Sequence, residues 1–543
     1  MFISIDADAR APAFKAWQPW AIALLLILPW GIYPFIDFNP YIFEGDVGNL
    51  TTWASQFKEM LLARHANFVL VPPNAGYPPY FDGYSVLYAI LSFPLNGFAT
   101  DEGSMVFAFR LINAAVWTCS ALTLFFSAWF LSRNALLAFS LAIIYAASPG
   151  LLSATLLRMD HLIMLMLNAM ILLSLVIASR PTSTYLAATL AAVMAILIAT
   201  KISSIALCVT AAPAVIIALY RRWWSIRHVL VALSVGAAVS VLLWIRYLFH
   251  LPDFFDIVFA KYLDLKAWDT LVGTSDWAYY FWTYPIKQWG STFNVAVALA
   301  SAVVVAVSAR KPWLLPIAVP LIVLSLIGLF QQKYDRFAFS FFPLYLLAFA
   351  ALAQLLGKWK IVAVLFPLIG LSAAIPNYIA SAKEASNASA SIQATRIEPK
   401  NWIRANVKPG SRVGSYASSY VTLPPIWDMP YKFVQTFFNF PYLDGPKMRE
   451  YRPPSMKDIE DHYDVILLSD CHLQIYDGTF RAWDAQARAL EWRGFATELF
   501  KRYRTEYFEA QSKNYCVRRI YVVVVNPDAL LRAPVRVDLE FPE

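Results

Sequence analysis

Glu44 and Asp46 stand two residues apart in Phe43-Glu-Gly-Asp-Val, directly after an apolar run of spanning length. A helix is predicted to follow: Asn49 or Thr51 can cap it, and Trp53, Phe57, Met60 and Leu61 recur at three-to-four spacing, a stripe suited to lying on a bilayer. An acidic pair held at that depth can act as a general base, whereas the same two residues in a solvated turn would do no chemistry. Three further clusters interrupt apolar runs. Arg158, Asp160 and His161 stand close together where a turn needs only polar residues. Lys201 lies between two apolar runs with no loop around it. Lys333, Asp335 and Arg336 precede a late apolar run, where Asp335 can pair with one cation and leave the other for a ligand. Fixed cations gathered at one membrane depth suit a lipid-linked phosphate, and a nearby carboxylate supplies a base.

The elements that must position these residues follow from composition. The 543 residues are 59% hydrophobic, 16% aromatic and 15% charged, with a mean hydropathy of +0.52. So little charge cannot cover a soluble surface, and a polytopic α-helical membrane protein is expected. Eleven spans are predicted. The first is 17–36, read as an uncleaved anchor because Pro34, Asp37 and Pro40 follow it in place of a small-residue cleavage site. The others are 105–131, 135–148, 162–179, 185–200, 202–220, 229–249, 293–309, 313–330, 337–356 and 361–379.

With the N-terminus inside, the inside loops carry Arg133; Arg180; Arg221, Arg222 and Arg227; Arg310 and Lys311; and Lys358 and Lys360, with no acidic residue among them. The outside connections then take Glu44, Asp46, Asp82, Asp101, Asp160, Asp256 and Asp335. Lys201 departs from this partition, which implies an anionic partner for it. The net charge of +8 would point to nucleic acid in a soluble chain; here the loops account for it and no nucleic acid is expected. The apolar segment 77–98 carries Pro78, Pro79 and Pro94. Counting it as a span would invert every later loop, so it is predicted as a second outer-face interfacial or re-entrant helix.

From about residue 381 the charge density becomes ordinary. Strands are predicted at 412–416, 464–468 and 520–525 and helices at 400–406 and 480–492, which makes residues 381–543 an extracytoplasmic α/β domain behind a 1–380 transmembrane catalytic domain. The Ala- and Ser-rich stretch 381–391 suits a linker. Cys119 and Cys208 lie inside spans as small apolar residues, while Cys471 and Cys516 fall in the outer domain, either paired or as two thiols. The scattered histidines give no metal-ligand spacing, and neither metal nor cofactor is expected.

In these features the chain resembles the membrane glycosyltransferases of the C-type fold, in particular the bacterial branch of protein O-mannosyltransferases and the lipid A aminoarabinose transferase. The resemblance runs over about residues 17–356 and rests on six pieces in order. They are Asp46 with the in-plane helix 50–62; Pro78-Pro79 opening the helix 80–98; Ala108 to Leu111 opening a span; Asp160 opening another; Thr200-Lys201; and Arg336-Phe337 with Pro343. It implies a GT-C-like bundle that moves a hexosyl or pentosyl unit from a polyprenyl-phosphate donor to an acceptor hydroxyl on a lipid, glycan or protein, with inversion, at the outer side of the inner membrane. Asp46 would be the base, with Glu44 and Asp160 beside it. Many relatives have Asp-Glu where this chain has Asp46-Val47, which leaves open which carboxylate assists. The aminoarabinose enzyme has a Lys before its Pro-Pro where Tyr77 stands here, so the phosphate falls to Arg64, Lys201, Lys333 and Arg336. Fixed cations can replace the divalent ion of nucleotide-sugar enzymes. A secondary transporter would place its charges near the midplane in repeated halves, and no repeat is visible. A polymerase or ligase of lipid-linked glycans, the nearer alternative, would usually carry its site on a large outer loop.

Overall fold

A computed structural model of the chain describes residues 87, 90–91, 102–148, 160–200, 202–244, 250–252, 282–330, 341–357, 365–380, 398–415, 432–435, 455–469, 494–495, 497–509 and 519–531. Apolar runs become helices here because a helix satisfies its backbone N–H and C=O groups within the segment, the condition for lying in hydrocarbon. The bundle comprises α1 (Glu102–Ser132), α2 (Ala135–Ala146), α3 (Asp160–Ser179), α4 (Thr184–Thr200), α5 (Ala212–Tyr220), α6 (Ile226–Leu243), the short α7 (Tyr284–Trp289), α8 (Ser291–Ser308), α9 (Leu315–Phe330), α10 (Phe342–Leu355) and α11 (Leu365–Ala380).

Among the described residues four stretches are long and apolar enough to cross a membrane: Leu111–Ser132, His161–Ser179, Ile226–Leu243 and Ser291–Ser308. The others are shorter apolar helices. The predicted span 17–36 and the in-plane helix 50–62 lie outside the described residues; of 77–98, only Leu87, Ile90 and Leu91 are described, and they are helical. The predicted single span 202–220 is divided into a 3-10 segment, Ile202–Thr210, followed by α5. Pro213 in the first turn of α5 has no N–H to continue the ladder, and Thr210 Oγ1 donates to the Leu207 carbonyl at 2.6 Å, holding the tighter turn.

One end of the bundle is basic. Arg133 joins α1 to α2, Arg180 lies between α3 and α4, Arg221 and Arg222 lie between α5 and α6, and Arg310 and Lys311 follow α8. Lys358 and Lys360 lie outside the described residues. Arg133 (φ 53°) and Arg222 (φ 56°) adopt the left-handed conformation that ends a helix and turns the chain back. Arg133 lies over the Phe130 ring at 5.3 Å and Arg221 over Trp223 at 5.0 Å. Trp224 Nε1 donates to Thr182 Oγ1 at 2.9 Å, tying the α5–α6 connection to the α3–α4 connection. Within the bundle, Asn168 on α3 donates to Ser120 Oγ on α1 at 2.9 Å, and Ser120 Oγ lies 3.0 Å from the Tyr145 hydroxyl on α2. Three helices are thereby fixed in register by neutral groups.

The C-terminal residues build a second core. Among the described residues five strands, β1 (Arg412–Ser415), β2 (Lys432–Gln435), β3 (Val465–Ser469), β4 (Arg504–Glu509) and β5 (Arg519–Val524), form one sheet in the order β2-β1-β3-β5-β4. β1 is parallel to β2 and β3, while β5 is antiparallel to β3 and β4. Helices α12 (Glu398–Asn406) and α13 (Met456–His462) precede β1 and β3. Ile520, Val522, Val523 and Val524 of β5 are all buried, as an interior strand requires. Their cluster includes Ile403, Val413 and Tyr463 and is separate from the cluster of the bundle. The three predicted strands are present within one residue of their expected ends. β2, β4 and α13 were not among the predicted elements; the predicted helix 480–492, Cys471 and Cys516 lie outside the described residues.

Candidate active-site end of the bundle

The end opposite the arginines is an aromatic layer. Two residues past the end of α2, Ser148 Oγ accepts from Trp289 Nε1 at 3.0 Å, and the Trp289 ring packs on Phe342 at 4.6 Å. That one side chain brings the end of α2 and the starts of α8 and α10 to the same level. Gly290 makes the sharp junction between α7 and α8 with φ 77°, a conformation that disfavours any other residue, and its Cα faces Ala373 of α11. At Gly370 an added Cβ would come within 2.8 Å of the Phe293 ring, so α8 and α11 approach as closely as they do only because no side chain stands there. Asn377 near the end of α11 donates to the Lys287 carbonyl at 3.0 Å. On the neighbouring flank, His161 at the start of α3 is buried and stacked on Trp117 at 5.6 Å, and Trp117 lies 6.4 Å from Tyr378.

Asp160 is the first residue of α3 and therefore belongs to this aromatic end. A carboxylate in the first turn of a helix is favoured by the exposed N–H groups and the helix dipole, which supplies a structural reason for it beside any catalytic one. α4 ends at Thr200, immediately before Lys201, and runs antiparallel to α3, so the helix end that precedes Lys201 lies at the same level. α9 ends at Phe330 and α10 begins at Phe342. The segment that carries Lys333 and Arg336 is thus bounded by two helix ends of this same layer. Glu44, Asp46, Arg64, Lys201, Lys333 and Arg336 themselves lie outside the described residues.

The residues that organise this layer, Trp117, Ser148, Trp289 and Phe342, were not singled out in the sequence. Tryptophans near the ends of apolar runs are the general mark of a membrane–water boundary, and Trp289 carries that signal. Among the described residues no cluster of His, Cys, Asp and Glu could hold a metal ion.

No family model and no curated protein sequence matches the chain. Solved structures do. ArnT from Cupriavidus metallidurans bound to undecaprenyl phosphate aligns with a TM-score of 0.55 at 12% identity, over 94% of this chain and 98% of its own. The apo state of the same protein aligns with a TM-score of 0.55 at 13% identity over the same shares. The oligosaccharyltransferase of Archaeoglobus fulgidus tethered to an acceptor peptide aligns with a TM-score of 0.47 at 12% identity, over 92% of this chain and 73% of its own. The likeness to ArnT spans both chains nearly end to end and agrees with the fold that the motifs imply. The chain has the C-type fold of the membrane glycosyltransferases.

Proposed function

We propose that this protein is an integral membrane glycosyltransferase that moves a hexosyl or pentosyl unit from a polyprenyl-phosphate donor to an acceptor hydroxyl on a lipid, glycan or protein, with inversion at the anomeric carbon. The observation that carries this reading is the end-to-end likeness to a protein that binds undecaprenyl phosphate. It is supported by the placement in sequence of Lys201, Lys333 and Arg336 beside helix ends of one layer. In this reading Asp46 takes the proton of the acceptor hydroxyl as its oxygen attacks the anomeric carbon. The bond to the phosphate oxygen breaks on the opposite face, and the polyprenyl phosphate leaves with an additional negative charge. Arg64, Lys201, Lys333 and Arg336 hold the phosphate and stabilise that growing charge, an interaction stronger in the transition state than in the ground state. Glu44 and Asp160 orient Asp46 or a neighbouring cation. The basic end faces the cytoplasm of the inner membrane, while residues 381–543 form an extracytoplasmic domain on the side where acceptors for cell-envelope glycosylation are found.

The test is direct. Purified protein incubated with a panel of polyprenyl-phosphate pentoses and hexoses, with envelope lipid and glycan acceptors, is expected to release polyprenyl phosphate from at least one donor. Release from none, by protein that still binds polyprenyl phosphate, would leave a lipid-binding or polymerase role as the better account. A reporter that fluoresces only in the cytoplasm, fused after Glu543, is expected to stay dark; a bright signal reverses the membrane side of the whole site.

A further inference from the structure

No Asp or Glu occurs between Asp160 and Asp253, so the α3–α4 and α5–α6 connections and the start of α6 carry Arg180, Arg221, Arg222 and Arg227 with no acid of their own. Arg221 lies over the Trp223 ring. The side chains of Arg180, Arg222 and Arg227 are exposed and meet no carboxylate, hydrogen-bond acceptor or ring among the described residues. The two connections are locked together. Trp224 Nε1 donates to Thr182 Oγ1 at 2.9 Å; His228 Nδ1 accepts from the Ser225 N–H at 3.2 Å, which leaves Nε2–H to donate to the Thr182 carbonyl at 3.3 Å. Arg180, Arg222 and Arg227 each stand within two residues of one of these bonds, at most about 7 Å along the chain, so three cations gather at one joint.

Membrane sidedness accounts for the sign of these residues, and the helix dipole for two of their positions. Arg180 follows the last turn of α3 and Arg222 that of α5, where free carbonyls favour a cation. Neither reason covers Arg227. It stands in the first turn of α6, where unpaired N–H groups already concentrate positive charge, and that turn holds no acidic residue.

We propose that the first turn of α6, together with Arg180, Arg222 and Arg227, binds the phosphate of an anionic phospholipid in the leaflet at the arginine end. Guanidinium forks and helix N–H groups both donate to phosphate oxygens, and an anion shared among them relieves their mutual repulsion. Net charge selects the lipid: a zwitterionic headgroup would bring a tethered ammonium into a joint that already holds three cations. The surroundings make the source a lipid and not a soluble phosphate. Tyr185 and Tyr220, 82% and 88% exposed, mark the membrane boundary beside the joint, and Ile226, Leu230 and Leu233 form one exposed face of α6 along which acyl chains can lie. The other side of α6 packs on α4, where Gly236 faces Ala191. The inference requires that the bundle spans a bilayer; it does not rest on the transfer reaction.

The experiment uses the full chain in phosphatidylcholine vesicles that contain a trace of phosphatidylglycerol or, in a parallel set, of phosphatidylcholine, each with a diazirine partway along one acyl chain. After irradiation, the phosphatidylglycerol label at Leu230 and Leu233 is expected to exceed the phosphatidylcholine label by about fivefold or more, the effect of one fixed cation at a bilayer surface. At Val303 on α8, on the way to the separate pair Arg310 and Lys311, the excess is expected to be much smaller. An equal excess at both places would mean attraction to a basic surface and no site, and would overturn the proposal. Arg227→Gln is expected to remove most of the excess on α6, and Arg310→Gln to leave it unchanged. If Arg227→Gln alters insertion, Arg227→Lys decides, since it keeps the charge that sets orientation but offers a point charge in place of a fork; the excess should then fall about two- to threefold. An excess equal to that of the unaltered protein at every lipid fraction removes the phosphate contact and with it the site. Inorganic phosphate at millimolar concentration is expected to leave the label in place; displacement of the lipid by it would give the joint to a soluble anion and overturn the assignment.

Discussion

The bundle and the C-terminal sheet use charge in opposite ways. In the sheet, charged groups meet a partner close at hand: Arg412 with Asp464 at 3.1 Å, Arg502 with Glu460 at 2.8 Å, and Arg519 with Glu509 at 2.9 Å. In the bundle the links between helices are neutral, Asn168 to Ser120, Trp289 to Ser148 and Trp224 to Thr182. Among the described residues of that part, Arg133, Arg180, Arg221, Arg222, Arg310 and Lys311 stand at helix ends. Water explains the difference. A surface ion pair in water contributes little, but neither of its members is expensive to hold, whereas a charge within a hydrocarbon layer is retained only where something requires it. A carboxylate of the sheet is therefore expected to matter for stability, and a carboxylate or cation at the aromatic end of the bundle for the reaction.

The largest effect expected from this contrast is at Asp46. Asp46→Asn keeps the size of the side chain and much of its hydrogen bonding but cannot accept the acceptor proton. Transfer is expected to fall by about 10² to 10⁴ while donor binding and thermal stability stay unchanged. Glu44→Gln is expected to be milder, and the reverse ranking in the same transfer assay moves the base to Glu44. Near-normal transfer by both variants and by the double variant would show that this loop is a solvated turn. The next effect concerns the phosphate. If Lys201 and Arg336 hold the donor phosphate as proposed, Lys201→Gln or Arg336→Gln is expected to cost roughly 1.5 to 3 kcal/mol, or about 10- to 150-fold in donor dissociation constant. Unchanged binding by both would place the phosphate elsewhere.

How far the sequence could be read differs between the same two regions. Long apolar runs made the bundle legible, because a segment in hydrocarbon has no alternative to the helix. The break at 202–220 was not legible as hydropathy, which does not register the missing N–H of Pro213 or the Thr210 side chain. The interior strands β3 and β5 are rich in Val, Ile and Leu and were found. β4, with the sequence Arg-Thr-Glu-Tyr-Phe-Glu, and the four-residue β2 are edge strands whose mixed composition resembles a loop. At the candidate site, the common level of the start of α3 and the end of α4 was legible because connection parity fixes it. The aromatic layer was not, since Trp289, Ser148 and Phe342 come from distant parts of the chain and meet only through packing.

In the sheet the sharpest case is Asp464, at the end of the α13–β3 connection. Its carboxylate accepts from the Arg412 backbone N–H at 2.8 Å, from Arg412 Nη2 at 3.1 Å and from Asn526 Nδ2 at 3.1 Å. Partial burial works against its ionisation, but the Arg412 and Asn526 hydrogen bonds together with the Arg412 charge outweigh that and hold the carboxyl below its usual range. Because the folded value is depressed, this stabilisation is complete above the unfolded value of about 3.9 and is lost as pH falls through the folded one. Asp464→Ala is expected to cost the sheet about 2 kcal/mol at neutral pH and to remove part of its acid sensitivity below about pH 4. Hydrogen exchange of β1, β3 and β5 amides in the full chain reads both. Equal protection in the variant and the unaltered protein would mean that the Arg412 pair adds nothing to the sheet.

The smallest effect is expected inside the bundle, at the Asn168–Ser120–Tyr145 link. Side-chain hydrogen bonds between membrane helices contribute on average about 0.6 kcal/mol and at most about 1.7, because the separated helices also find partners. Asn168→Leu has similar volume and removes the donor to Ser120 Oγ and to the Ser120 carbonyl. It also removes a side-chain oxygen, Oδ1, that has no hydrogen-bond partner among the described residues, which offsets part of the loss. Ser120→Ala is different in kind, since it takes the shared hydroxyl from the buried Tyr145 hydroxyl and from the Asn168 amide, which keeps only the residue-120 carbonyl. Thermal unfolding in detergent is therefore expected to rank Ser120→Ala as the more damaging of the two, with Asn168→Leu below the cost of Asp464→Ala measured on the sheet. If Asn168→Leu proved the most damaging of the three, polar contacts would count for more in the bundle than in the sheet, and the contrast between the two regions would have to be reversed.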